Sequence, residues 1–500
     1  MRCVTNKAYE RWSWRVVARG YVIMTVALIL VGCSTSPPQV WTRQITPDSF
    51  GDQGLGAEQV WPRSDWWRNL RSAELSDLIE RAQGANRDLA VAVARIREAR
   101  AQVTIQRAVL FPQINAQPQV LRGTANTAGS LTSEPYTTGN SFGLTAALTY
   151  PIDLWGVGRD NLRASTETLK STRFAKEQVA LSLVANVADT YFSVLALRKR
   201  AAIVREDVAA INEILQIIKL KVATGSSSHL DLAQEEAQVE SVESQLPMLV
   251  EQELEARVTL ATLLGQPPES FEIEGSDPDT IVIPSVGPGL PSGLLLRRPE
   301  VAEAEANLAS AHANLNAARA AFLPQFSLTG NSGYASGTIG TLLQGPSFVW
   351  NAGFSLVQTI FDGGKLIGQK ALADAKQEEL IASYQGAVLS AYADVVTALG
   401  QVMNERQVEE HLRREVDSAS QAFEIAELQY RQGAGDLIVV LQSQQTLFAA
   451  RDQLVQTTLA RMQAGIHLYE SLGGGWIEQT DDRTQFMDMS APHSGRSDKK

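Results

Sequence analysis

Two periodicities dominate the chain, and each occurs twice. Apolar Phe142, Leu144, Ala146, Leu148, Tyr150 and Ile152 alternate with Ser141, Gly143, Thr145, Ala147 and Thr149. The same period of two returns at Phe348, Trp350, Ala352, Phe354 and Leu356. A similar alternation precedes each: Ile114, Ala116, Pro118 and Val120 against Gln113, Asn115, Gln117 and Gln119, then Phe326, Leu328, Gly330 and Tyr334 against Gln325, Ser327, Thr329 and Asn331. These stretches predict two strand pairs, 113–122 with 141–152 and 325–334 with 348–361, of the kind that build a transmembrane barrel. A half-buried sheet in water would alternate in the same way. Four strands cannot close a barrel and lipid tolerates no open edge, so a barrel requires several copies of the chain.

The second periodicity is helical. Residues 158–224 contain no proline, and Val204, Val208, Ile211, Leu215, Ile218 and Val222 step by fours and threes, the spacing of a coiled-coil seam. Residues 365–432 are proline-free too, with Tyr384, Ala387, Ala391, Val395 and Leu399 on one face. Each long segment ends at a glycine turn, Gly225-Ser226-Ser227-Ser228 or Gly433-Ala434-Gly435-Asp436, and a further helical segment returns. Glycine supplies the left-handed C-cap there, and Ser228 or Asp436 can cap the returning helix.

These paired elements belong to an internal two-fold repeat with a period of about 210 residues, far longer than a solenoid unit. Asn86-Arg87-Asp88-Leu89 aligns with Arg298-Pro299-Glu300-Val301, and Ala108 to Ile114 aligns with Ala320 to Phe326. Ile152-Asp153-Leu154-Trp155-Gly156 aligns with Phe361-Asp362-Gly363-Gly364, and Lys221 to Leu232 with Gln429 to Val440. The expected layout is a first repeat over 71–264 and a second over 297–472. Each holds a helix, a strand pair, a long helix (158–224 or 365–432) and a return helix (228–264 or 436–472). A Pro- and Gly-rich linker, 265–296, joins them, and 473–500 is a partly disordered tail. The fold class is α+β, mainly α.

Composition sharpens this picture at one point. Arg11, Arg15 and Arg19 lead into an apolar run from Tyr21 to Val31, the length of a signal-peptide core. It ends in Leu30-Val31-Gly32-Cys33-Ser34, a lipobox-like sequence, so 1–32 is expected to be removed and Cys33 acylated at the head of a lipid-anchored extension, 33–70. A plain signal peptide or anchor helix with an incidental cysteine is the alternative. Cys3 leaves with the leader, so the remaining cysteine cannot form an internal disulfide. No later segment offers the long uninterrupted apolar run of a membrane helix. The formal charge of −11 argues against a nucleic-acid partner.

Catalytic chemistry is hard to find. The five histidines, His229, His312, His411, His467 and His493, have no metal-ligand spacing, and nothing calls for a cofactor. Gly139-Asn140-Ser141-Phe142-Gly143 fits the nucleophile-elbow pattern, but a polar loop precedes it and a strand follows, where the elbow needs a strand and then a helix. The chain is read as no enzyme.

The landmarks resemble those of the outer-membrane efflux family, the TolC-like channels, and most of all its lipoprotein branch. Asp65-Trp66-Trp67, Leu296-Arg297-Arg298-Pro299-Glu300-Val301, Leu323-Pro324-Gln325, Phe361-Asp362-Gly363-Gly364, Tyr430-Arg431-Gln432-Gly433 and Leu472-Gly473-Gly474-Gly475-Trp476 carry the likeness, from Cys33 to about Trp476. The resemblance implies a homotrimer in the outer membrane, each subunit giving four strands to a 12-stranded barrel continuous with a periplasmic α-helical barrel. An equatorial collar would be built from the chain ends and the linker. It also implies a periplasmic adaptor and an inner-membrane pump of the proton-driven resistance type as partners, with drugs or other small toxic compounds as cargo. Gly225, Ser228, Gly433 and Gly435 would then mark the tips where the adaptor docks. Asp436, Asp231 and Gln442 are candidates for the constriction, although Val439 and Gln442 stand where some members carry Asp. A duct for type I protein secretion, or a coiled-coil lipoprotein strut that transports nothing, are the alternatives.

Overall fold

A single antiparallel sheet links two long helices. The structure, a computed structural model, describes residues 61–125, 137–275, 277–282, 293 and 297–476. Cys33, the leader, most of the tail and part of the linker lie outside the described residues.

The chain enters through a short 3-10 turn, Trp66–Leu70, into α1 (Ala73–Ala85) and α2 (Arg87–Ala108). One helix was expected there. Asn86 divides it, because its extended backbone stops α1 while its side chain accepts from Leu89 N at 2.9 Å to start α2. Strands β1 (Gln113–Ala125) and β2 (Thr137–Ile152) follow, and then α3 (Val157–Ala223). The expected return helix, 228–264, is two helices, α4 (His229–Glu243) and α5 (Gln245–Leu263). Pro247 has no N–H for the Glu243 carbonyl one turn back, so the helix breaks at Ser244. The same order then recurs: α6 (Pro299–Ala320), β3 (Gln325–Ser336), β4 (Phe348–Val357), α7 (Lys365–Arg431) and α8 (Leu437–Ser471). Strand β4 stops short of the expected residue 361, since β3 begins at Gln325, opposite Val357, and offers no partner beyond it.

Both α3 and α7 have 67 residues, about 100 Å at 1.5 Å per residue. Each starts in the same way. Asp153 takes the backbone N–H groups of Gly156 and Arg159 on its two oxygens, both at 2.9 Å, and Asp362 takes those of Gly364 and Leu366 at the same distance. Gly156 and Gly364 turn at φ 91 and 90, where a side chain would be strained. The aligned Asp-to-Gly landmarks are therefore the joints at which strand becomes helix. Each long helix does contain a stretch that by length and composition could cross a bilayer, contrary to expectation. In α3 that character is spent on packing: Leu183, Val187, Phe192 and Leu195 are buried in the main core.

That core lies where α1, α3, α5 and the end of α8 meet. Trp66 is 1% exposed and stacks on Tyr469 with ring centroids 4.6 Å apart. The Arg298-Pro299-Glu300 landmark secures the same region. Pro299 occupies the first turn of α6, and the buried Arg298 guanidinium donates to the Ser471 carbonyl at 2.8 Å, to Asp394 at 2.8 Å, and to Glu300.

Candidate functional site

The two features able to handle a cargo are the sheet and the helix tips, at opposite ends of the long helices. In the sheet the strand order is β1-β2-β3-β4, with every neighbouring pair antiparallel. The register sets Val120 beside Phe142, Leu144 beside Tyr334, Leu148 between Ile114 and Gly330, and Leu328 beside Phe354. All the apolar positions read from the sequence thus share one face. Ile114, Val120, Trp350 and Phe354 on it are 63–73% exposed, with no layer of this chain over them. The opposite face carries Gln113, Asn115, Gln117 and Gln119 from β1, Thr145 and Thr149 from β2, and Asn331 and Asn351 from β3 and β4. Strands β1 and β4 are both open edges among the described residues.

At the far end of α3, Gly225 has φ 75, and its N–H donates to Val222 O at 3.0 Å while Ser226 N donates to Lys221 O at 2.8 Å. This pair of bonds closes the helix on its own carbonyls. Ser228 then caps α4 reciprocally: Asp231 N donates to its Oγ at 3.1 Å, and Asp231 Oδ2 accepts from Ser228 N at 2.9 Å and from Ser227 Oγ at 2.7 Å. Those bonds hold the Asp231 carboxyl below the usual carboxylate range, the Ser228 backbone N–H contributing most.

The second tip keeps the stop and lacks the cap. Gly433 has φ 76, with Gly433 N on Tyr430 O at 3.1 Å and Ala434 N on Gln429 O at 2.9 Å. Asp436 sits at the N-cap position of α8, yet its side chain makes no capping bond, and it is exposed. Gly435 lies against α7, where a Cβ would come 3.1 Å from Gln429 Cβ. Gln442 is exposed on α8, a turn and a half beyond Asp436. The constriction candidates are therefore not equivalent: Asp231 is engaged within its own turn, while Asp436 and Gln442 present free heads.

The two tips are tied together. Lys221 Nζ donates to the Tyr430 carbonyl at 2.6 Å and lies 3.9 Å from the centre of the Tyr430 ring. Just behind them the sequence reading missed Glu235, which is 0% exposed with both carboxylate oxygens unbonded; burial pushes its pKa up to about 7. Gln444 on α8 is equally buried, and its amide is unbonded at both atoms. The signal was present, because Leu232, Glu235, Val239 and Val242 form one stripe in which only Glu235 is charged. Farther from the tips, buried Asp207 pairs with Arg451 at 3.2 Å, and Arg200 with Asp452 at 2.6 Å, both joining α3 to α8. No group of metal-ligating side chains occurs among the described residues.

A sheet with one bare apolar face, continuous with helices about 100 Å long, is an architecture shared with solved outer-membrane channels. The profile of the outer membrane efflux protein family matches residues 78–266 and 290–474, and the chain belongs to that family. It is accordingly an outer-membrane protein. It is 34% identical over 459 residues to the Pseudomonas aeruginosa pyoverdine export outer membrane protein OpmQ, covering 91% of this chain and 96% of that one. A probable outer membrane lipoprotein of Salmonella typhimurium, SilC, is 30% identical over 91% of this chain and 98% of its own. Among solved structures, the outer-membrane channel OprN superposes with a TM-score of 0.83 at 27% identity, over 89% of this chain and all of that one.

Proposed function

We propose that three copies of the chain form a passive exit duct of a tripartite efflux system. The observation that carries this is the sheet itself. Its apolar face is bare, its other face is mostly polar, and β1 and β4 are both unpaired edges among the described residues. In lipid each exposed edge would leave backbone groups without partners, so β4 of one copy must join β1 of the next until the ring closes. Three copies of four strands give twelve, an even number within the range of outer-membrane barrels. The long helices continue that ring into the periplasm, and the recurring element order follows from a duplicated unit, 71–264 and 297–472.

In this duct Cys33 is the acylated anchor, a role supported by the likeness to SilC. The turns at Gly225 with Ser228 and at Gly433 with Gly435 dock a periplasmic adaptor that brings an inner-membrane resistance-type pump. Asp436 and Gln442 are the better placed constriction residues, because Asp231 spends its carboxylate on its cap. The cargo is a small compound, a toxic agent or a secreted product such as the pyoverdine that OpmQ exports. Deleting the chain from its own host, with adaptor and pump retained, should sharply raise sensitivity to the pump's substrates and trap cargo in the cell. Unchanged sensitivity together with unchanged export would overturn the proposal.

A further inference from the structure

The polar face of the sheet differs from the helices in one respect: within the four strands the carboxylate and ammonium groups that crowd the helices are missing. The one guanidinium there, Arg122, falls by register on the apolar face, two residues beyond Val120. The polar face carries amides, hydroxyls and small residues, with Leu121, Val349 and Val357 among them, and its four strands do not contribute alike. On β3 and β4 the polar groups satisfy one another, Asn331 donating to Asn351 at 3.3 Å and Ser327 meeting Ser355 at 2.6 Å. On β1 they do not. Gln113, Asn115, Gln117 and Gln119 form an unbroken row, all exposed, and none of their side chains bonds another group among the described residues.

The neighbours of that row keep it free. By register Asn115 lies beside Ala147, Gln117 beside Thr145 and Gln119 beside Gly143, so β2 offers side chains too short to cover the amides. On the other flank, the strand that a second copy would bring is β4, whose polar groups on this face, Asn351 and Ser355, are already bonded to β3. An amide head both donates and accepts, and successive members of the row are about 7 Å apart, two residues of strand.

We infer that the β1 row Gln113, Asn115, Gln117 and Gln119 is a hydrogen-bonding track on the inner wall of the strand section, which handles uncharged cargo surfaces rich in hydroxyl or amide groups and leaves selection by charge to the helical section. The inference rests on the barrel described above. A wall without fixed charge neither repels nor traps an ion, so passage here depends on hydrogen bonds that a polyol or peptide can exchange one for another as it moves along the row.

The test uses the full-length trimer in a planar bilayer, with the neutral trisaccharide maltotriose added on the side of the β3–β4 connection, residues 337–347. The wild type should show sugar-induced current interruptions. The variant Asn115→Ala/Gln117→Ala/Gln119→Ala should shorten them by roughly fivefold for each amide that engages the sugar, with the reversal potential in a salt gradient unchanged. Interruptions of equal duration in the two proteins, or none in the wild type, would overturn the track. Gln117→Glu separates this failure from failure of the barrel. On a lumen wall it leaves assembly intact and shifts the reversal potential towards cation preference, whereas loss of insertion, or no pore in any variant, would overturn the barrel itself.

Discussion

The middle of α3, where α1, α5 and the end of α8 root the long helices in the main core, and the helix tips use the same residue in opposite ways. At the root, Gly473 has φ 84, and a Cβ there would run into the Arg297 carbonyl; at the tips, Gly225 and Gly433 have φ 75 and 76, and a Cβ would meet nothing within 4 Å. The root glycine permits close approach of two backbones. The tip glycines only permit a turn. The surroundings diverge in the same sense, with Trp66, Leu70, Leu75 and Phe192 almost fully buried at the root and Leu220, Leu230 and Ile438 half or more exposed near the tips. The molecule is locked at the middle and loose at the end, the distribution that the proposed duct needs to open at its end without coming apart.

The strongest way to break this comparison is at the root. Gly473→Val should destabilise by about 3 kcal/mol or more, through backbone strain added to the Arg297 clash, and Trp66→Ala by about 3–5 kcal/mol. Both should lose protease-resistant protein, while Gly433→Ala should cost only about 1 kcal/mol. Equal losses at root and tip in limited proteolysis would erase the distinction.

Next comes Glu235, a misfit in the tip core. Its carboxyl is raised to about 7 in the folded protein, from an ordinary value near 4.5. Between those values the folded tip holds a proton that the opened tip releases, so tip stability should be greatest below about pH 4.5, fall as the pH rises to about 7, and level off above. Glu235→Leu should remove that dependence and, at pH 8, slow local opening by about 1–3 kcal/mol as read by hydrogen exchange in α4 and α8. A wild type whose α4 exchange free energy is flat across that window would contradict it.

The smallest effects separate the two tips. Ser228→Ala should cost about 1 kcal/mol in α4, since it removes a reciprocal cap, whereas Asp436→Ala should change α8 by less than about 0.5 kcal/mol, there being no capping bond to lose. Asp436→Ala should still alter conductance or cation preference if its free carboxylate faces the constriction. Asp436→Arg should alter both more strongly. Unchanged currents in both variants would move the constriction to Gln442.

Much of this was legible in the sequence, for reasons that differ by element. The alternating strand positions could be read from the sequence, because a period of two survives wherever one side meets lipid or a core and the other water; the register keeps those positions on one side and puts Leu121, Val349 and Val357 on the other. The duplicated landmarks could be found but not interpreted. Asp153 and Asp362 take N–H groups only two to six residues ahead, a local cap that their sequence position allowed and the reading overlooked, whereas the reach of Arg298 to the end of α8 joins segments far apart in the chain. The break at Ser244 was signalled by Pro247 and overlooked, while the end of β4 depended on where β3 begins. Asp436 marks the limit of such reading. Its position is that of a cap, and only the placement of its side chain shows that it does not act as one.

The central claim is that the open edges of the sheet close by association, and the direct measurement is native mass in lipid nanodiscs. The mature full-length protein should appear as three chains of about 50 kDa each, the 54.3 kDa chain less its leader. Cysteine pairs scanned along β1 (Asn115, Gln117, Gln119) and β4 (Asn351, Gly353, Ser355) should include one that cross-links between copies, since β1 and β4 become neighbours with a stagger set by the tilt of the strands. A folded, lipid-embedded monomer, or a trimer whose β1 and β4 never cross-link, would contradict the account.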